Sequence, residues 1–111
     1  MINLYLITNR TLCSEQEYFD RIKEACLNGV DNIIIREKDL TDEEVEKIYN
    51  MISSSLPVEV RKKTSILVNS KFKVYEETDC DGIHLPFWLF KEKLKEVYDF
   101  KIDKQIGLSL H

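Results

Sequence analysis

Several things are missing from these 111 residues, and each absence closes off a class of function. No apolar run approaches the roughly 20 residues that a membrane-spanning helix requires. Glycine is scarce, with three in the chain. No G-x-G-x-x-G follows any strand-like run, so a dinucleotide-binding reading loses its best support. Cysteine is odd in number and widely spaced, at Cys13, Cys26 and Cys80. With no C-x-x-C pair, neither a zinc ribbon nor a thioredoxin motif is supported, and the three read as buried or bystander thiols. Basic excess is absent too. The formal net charge is −4, whereas a nucleic-acid surface usually demands a basic face. Met1-Ile2-Asn3-Leu4 carries no basic n-region and runs straight into a strand-like stretch, so no secretory signal is read and a cytoplasmic protein is expected.

What is there suits one soluble globular domain over residues 1–111, with no low-complexity linker and no charge block. A rhythm of short apolar run and amphipathic segment repeats. Leu4-Tyr5-Leu6-Ile7 opens it. Ser14-Glu15-Gln16-Glu17 is a capping-box pattern, and Tyr18, Ile22, Ala25 and Cys26 behind it fall on one helical face. Gly29 stands where a left-handed C-cap is wanted. Asn32-Ile33-Ile34-Ile35 is a continuous β-branched run, as in a parallel strand covered on both sides. Thr41-Asp42-Glu43-Glu44 starts a second helix with Val45, Ile48, Tyr49 and Ile52 inward, which ends near Ser53-Ser54-Ser55 and Pro57. Ser65 to Asn69 predicts a third strand, and a weakly patterned helix through Phe72 and Tyr75 follows. Gly82-Ile83-His84-Leu85 predicts a fourth strand, Trp88 to Tyr98 a helix with Leu94, Val97 and Tyr98 inward, and Gln105 to Leu110 a fifth strand. Strict alternation argues an α/β protein with a parallel sheet. Two architectures fit: an open doubly wound sheet, or part of a (β/α)8 barrel. In both, active sites gather at the C-terminal strand ends, here Thr8, Arg36, Asn69, His84 and Ser109.

Arg36-Glu37-Lys38 directly follows the most buried-looking strand. Its two cations suit a phosphate or pyrophosphate clamp, unless they pair with Glu37 and Asp39 on the surface. Asn69 and Ser70 offer neutral hydrogen bonds to an anion, or simply make a turn. His84 reads as a hydrogen-bonded core or rim group rather than a base. Ser109 and His111 lie on one side of the fifth strand, but no orienting group or oxyanion hole accompanies them. Asp79 and Asp81 read as a turn into Gly82 more readily than as a metal site.

These pieces together resemble the thiamine phosphate synthase/TenI family. The resemblance lies in Leu4 to Thr8 followed by Asn9-Arg10; in the R-E-K motif Arg36-Glu37-Lys38-Asp39-Leu40; in Val68-Asn69; in Asp81-Gly82-Ile83-His84-Leu85; and in Gly107-Leu108-Ser109-Leu110-His111. It implies parallel β/α units of a (β/α)8 barrel. For the synthases it implies coupling of a hydroxymethylpyrimidine pyrophosphate to a thiazole phosphate with Mg²⁺, and Arg36, Lys38, Asn69 and Ser109 match pyrophosphate-contacting positions. A departing pyrophosphate needs cations and donors where charge builds up.

The chain departs from the synthase pattern at several positions. Ser70 stands where synthases carry a magnesium-binding Asp. Pro86-Phe87-Trp88-Leu89 replaces their Gly-Gln-x-Asp, and Ile34 replaces a pyrimidine-reading Gln. The likeness is therefore nearer to TenI-like proteins, which implies metal-free tautomerisation or binding of a thiazole phosphate. No cofactor is expected, with Mg²⁺ only on the synthase alternative; a catalytically inactive phosphate-binding or assembly module is the other alternative. The catalytic histidine implied by the family falls beyond His111, so no catalytic residue is assigned. A complete barrel takes about 250 residues. The expectation is thus a barrel truncated after about the fifth strand, with Ile33, Ile35, Leu67 and Leu108 uncovered on the barrel side. Its open sheet edges would draw copies into a homo-oligomer.

Overall fold

The computed structural model describes residues 2–93 and 104–109. It begins with β1 (Tyr5–Ile7), after which Arg10–Leu12 make a 3-10 turn. Helix α1 (Glu15–Leu27) starts at Ser14, whose hydroxyl accepts the Glu17 N–H, with Glu15 and Glu17 in the first turn where the helix dipole favours acids. It stops where Gly29 turns left-handed at φ 97°, and the Val30 N–H closes back on the Ala25 carbonyl at 3.1 Å. β2 (Asn32–Ile35) follows, then α2 (Asp42–Ser55), whose Thr41–Glu44 capping box is complete in both directions. Pro57 ends α2 because the residue before a proline is pushed into extended backbone, and Leu56 takes ψ 139°.

Pro57 also opens a helix that the sequence pattern did not predict, α3 (Val58–Lys63). With six residues and none buried, it has no apolar stripe to read. β3 (Ser65–Asn69), α4 (Phe72–Glu77), β4 (Gly82–Pro86), α5 (Phe87–Glu92) and β5 (Gln105–Ser109) complete the described chain. The expected helix from Trp88 onward thus begins at Phe87, while Leu94, Val97 and Tyr98 lie outside the described residues, as does His111. Among the described residues no helix is long and apolar enough to cross a membrane.

The five strands run parallel in the order β1-β2-β3-β4-β5, the succession of a β/α barrel rather than of a doubly wound sheet. Side chains alternate between its two sides. One side packs on the helices: Ile33 and Ile35, Ile66 and Val68, Ile83 and Leu85 join Tyr18, Ile22, Val45, Tyr49, Ile52 and Tyr75 in one apolar core. The register carries this side on to Ile106 and Leu108, beside Ile83 and Leu85. The expected facing of Ile33, Ile35 and Leu108 toward the barrel interior is therefore corrected. An unbroken isoleucine run has no alternation from which to read its sides. Leu67 does lie on the other side, with Ile7, Ile34, Asn69, His84 and Gly107.

That inner side is covered at its centre, contrary to expectation. Ile34 and Leu67 are only 4% and 3% exposed. The sheet curls enough that a methyl built on Gly107 of β5 would meet Leu67 of β3 at 3.9 Å, across the intervening strand. The middle strands are thus sheltered, while apolar side chains remain exposed on both outer strands, Tyr5 and Ile7 on β1 and Ile106 and Leu108 on β5.

Candidate functional site

The C-terminal tip of β2 is held by a buried carboxylate. Glu37 accepts the Thr8 hydroxyl at 2.5 Å, the Tyr18 hydroxyl at 3.1 Å and the Arg10 backbone N–H at 3.0 Å. The Thr8 hydroxyl in turn accepts the Arg36 backbone N–H at 3.1 Å. Burial pushes the Tyr18 phenol up, so it stays a protonated donor to Glu37. Arg10 also pairs with Asp39 across the outside of the loop. Both acids flanking Lys38 are thereby engaged by Arg10, not by Arg36 or Lys38. The surface-pair reading of this motif fails: neither Arg36 nor Lys38 has a carboxylate within ion-pairing distance among the described residues.

The next strand tips are joined through polar side chains and backbone. His84 Nδ1 lies 3.1 Å from the Asn69 side-chain oxygen, and the Ser70 N–H donates to the His84 carbonyl at 2.9 Å. Ser70 is left-handed, φ 59°, a conformation that costs a serine about 1 kcal/mol. After it, Lys71 reaches back with its ammonium 2.7 Å from the Leu40 carbonyl, tying the loop after β3 to the loop after β2.

A cavity of about 520 Å³ opens on the inner side at these tips, and Arg36, Lys38, Asn69 and Ser109 all line it. Sequence reasoning brought those four together; the structure adds Lys71 beside the cations and Pro86, Trp88 and Leu89 as an apolar wall. His84 and Ser70 line it as well. Lys71 had a faint signal, being two residues beyond Asn69; Trp88 had none as a lining residue, reading only as the start of a helix. A second hollow of about 500 Å³ lies between α1 and α2, lined by Cys13, Tyr18, Leu40, Ile48 and Met51, away from the strand tips.

Asp79 and Asp81 sit at the opposite end of the sheet. Asp81 accepts the Ile66 N–H at 2.8 Å and pairs with Arg61 at 2.9 Å, so the turn reading of this pair holds. The donor set around the cavity does not suit magnesium. Mg²⁺ wants carboxylate and water oxygens. The lining residues include three cations and no carboxylate, and no cluster of metal-ligating side chains occurs among the described residues.

Parallel strands in chain order define a protein of the β/α-barrel class, and the cation-lined hollow lies at their carboxyl ends, where proteins of that class usually bind ligands. A family model described as thiamine monophosphate synthase matches residues 4–111, and the chain belongs to that family. It is 30% identical over 82 residues to a thiamine-phosphate synthase of Clostridium botulinum, an alignment covering 74% of this chain and 38% of that protein. It is 27% identical over 84 residues to the thiamine-phosphate synthase of Syntrophomonas wolfei, covering 75% and 38%. A solved thiamine phosphate pyrophosphorylase from Pyrococcus furiosus superposes with a TM-score of 0.71 at 24% identity, covering 96% of this chain and 48% of that one. The chain therefore aligns with less than half the length of these proteins.

Proposed function

We propose that this chain binds a thiazole phosphate at the strand tips, as a TenI-like member of its family, and takes no part in metal-dependent synthase coupling. The observation that carries this reading is the composition of the cavity wall. Among the described residues Arg36 and Lys38 pair with no carboxylate, the Asn69 amide and Ser109 hydroxyl line the cavity with them, and no acidic side chain is among the lining residues. Arginine matches phosphate oxygens with its fork and lysine does so as a point charge. Across the cavity, Pro86, Trp88 and Leu89 give a heterocyclic ring an apolar surface. No catalytic residue is assigned, and no cofactor is required.

The synthase reading has one support of its own: relatives at up to 30% identity carry the name thiamine-phosphate synthase. Against it stand Ser70 and Leu89, which cannot replace two carboxylates at a magnesium. Isothermal titration with the thiazole phosphate tests the binding claim. Binding should be measurable for the native chain and abolished by Arg36→Ala, and unchanged affinity in that variant would refute the clamp. A coupled turnover assay with pyrimidine pyrophosphate and Mg²⁺ should give no thiamine phosphate. Assembly belongs to the same proposal. β1 and β5 are the outer strands, and Leu4, Tyr5 and Ile7 are exposed at the β1 edge, a surface that suits a second copy. A stable monomer by light scattering at micromolar concentration would count against it.

A further inference from the structure

The loop after β3 carries a cation that the family likeness did not point to. Lys71 lines the cavity together with Arg36 and Lys38. Its ammonium is fixed, because one of its three donors is taken by the Leu40 carbonyl at 2.7 Å. The acids of the loop after β2 and the start of α2 that bear on these cations have partners of their own, although Glu37 and Asp39 line an adjoining hollow with Arg36 and Lys38. Glu37 faces Thr8, Tyr18 and Arg10, Asp39 faces Arg10, and Glu43 faces Lys73. What remains at the cavity is positive charge without a counter-charge among the described residues, next to neutral donors and acceptors.

From this we infer that Lys71 is a phosphate-binding residue, and that its tethered ammonium supplies the charge neutralisation that a divalent cation would otherwise bring. The inference rests on the proposed phosphate site and deepens it. Two features hold the ammonium in place. The left-handed backbone at Ser70 precedes Lys71, whose side chain reaches the loop after β2 at Leu40. The Ser70 N–H bond to the His84 carbonyl fixes that turn against β4. A fixed ammonium loses little freedom when an anion arrives, whereas a mobile surface lysine must be ordered first. The chemistry recognised is a phosphate or diphosphate group, with Lys71 and Lys38 as point charges and Arg36 as the fork.

Titration of inorganic pyrophosphate into the full chain, once in excess EDTA and once in millimolar Mg²⁺, tests this. Binding is expected in EDTA, and magnesium should not strengthen it. Lys71→Met should weaken binding in EDTA roughly ten- to a hundredfold, the loss expected for one charge-assisted contact. Lys71→Arg should keep most of it, and its thermal melt controls for folding. Binding that appears only with Mg²⁺ would overturn the inference while leaving the anion site standing, as would unchanged affinity in Lys71→Met. Absence of binding in both buffers would instead take down the proposed site itself, and the inference with it.

Discussion

Two ends of one sheet use arginine in opposite ways. At the N-terminal end of the strands, Arg61 is spent entirely on its own protein. Its guanidinium donates to Asp81 at 2.9 Å, to the Thr64 carbonyl at 2.9 Å, to the Tyr49 hydroxyl at 3.1 Å and to the Ser53 hydroxyl at 3.2 Å. Tyr49 passes the chain on to Asp79 at 2.5 Å, which holds that carboxyl below its usual range. At the C-terminal end, Arg36 has no such partners among the described residues, and Lys38 lines the same cavity. Donors held by buried partners stabilise a fold, whereas exposed donors met only by water stay available to a ligand. The contrast sets a structural pole against the proposed binding pole.

The sharpest way to break this contrast is to delete each arginine in turn. Arg61→Ala should cost about 2–3 kcal/mol, because it leaves Asp81, Tyr49 and the Thr64 carbonyl short of a donor, less whatever water regains at the half-exposed Asp81. Arg36→Ala should stay within about 0.5 kcal/mol of the native protein while losing its anion. Urea unfolding of the two variants decides the matter, and equal losses would erase the distinction. Next in size is Gly82→Ala at the structural pole. A Cβ there would fall 2.3 Å from the Gln105 carbonyl oxygen, so β5 must move; a loss of about 1–3 kcal/mol is expected. Pyrophosphate binding should also weaken in that variant, because Ser109 hangs on β5, and a native affinity would show that Ser109 is dispensable.

The smallest effect concerns the one part of the binding pole that is structural. Tyr18 is buried against Glu37, and burial first, with the neighbouring carboxylate behind it, raises its phenol. The unfolded chain releases that proton near pH 10 and the folded chain does not. Above pH 10 the native state then holds more protons, so stability falls as pH rises toward the folded value. Tyr49, raised mainly by burial, adds to the same slope. Tyr18→Phe should flatten the decline in urea midpoint between about pH 9.5 and 11; an unchanged slope would mean that Tyr18 ionises freely in the fold.

Much of this architecture was legible in the residues themselves. Capping patterns at Ser14 and Thr41 and the glycine at Gly29 mark helix ends through local chemistry, which needs no knowledge of the rest of the chain. Arg36, Asn69 and Ser109 were placed by a simple rule, that each stands at the carboxyl end of its strand, while grouping them with Lys38 around one anion came from the family resemblance. What was not legible depended on contacts between elements. No pattern in Asn32 to Ile35 says which isoleucine faces the helices, because all four residues are buried. Glu37 reads as a loop acid beside two cations; only the fold brings Thr8 and Tyr18 to it. α3 is too short and too charged to show a period, and Lys71 becomes a site residue only once its loop folds back toward Leu40.

The sequential strand order has a bearing on how such a chain comes into being. Every strand pairs with the one made just before it, so no segment has to wait for a distant partner to be synthesised. Each loop that must close spans one helical excursion, which keeps the entropy of closure small and similar at every step. A nascent polypeptide of this kind can add units to a growing edge as they emerge from the ribosome, and the latest strand is always the template for the next.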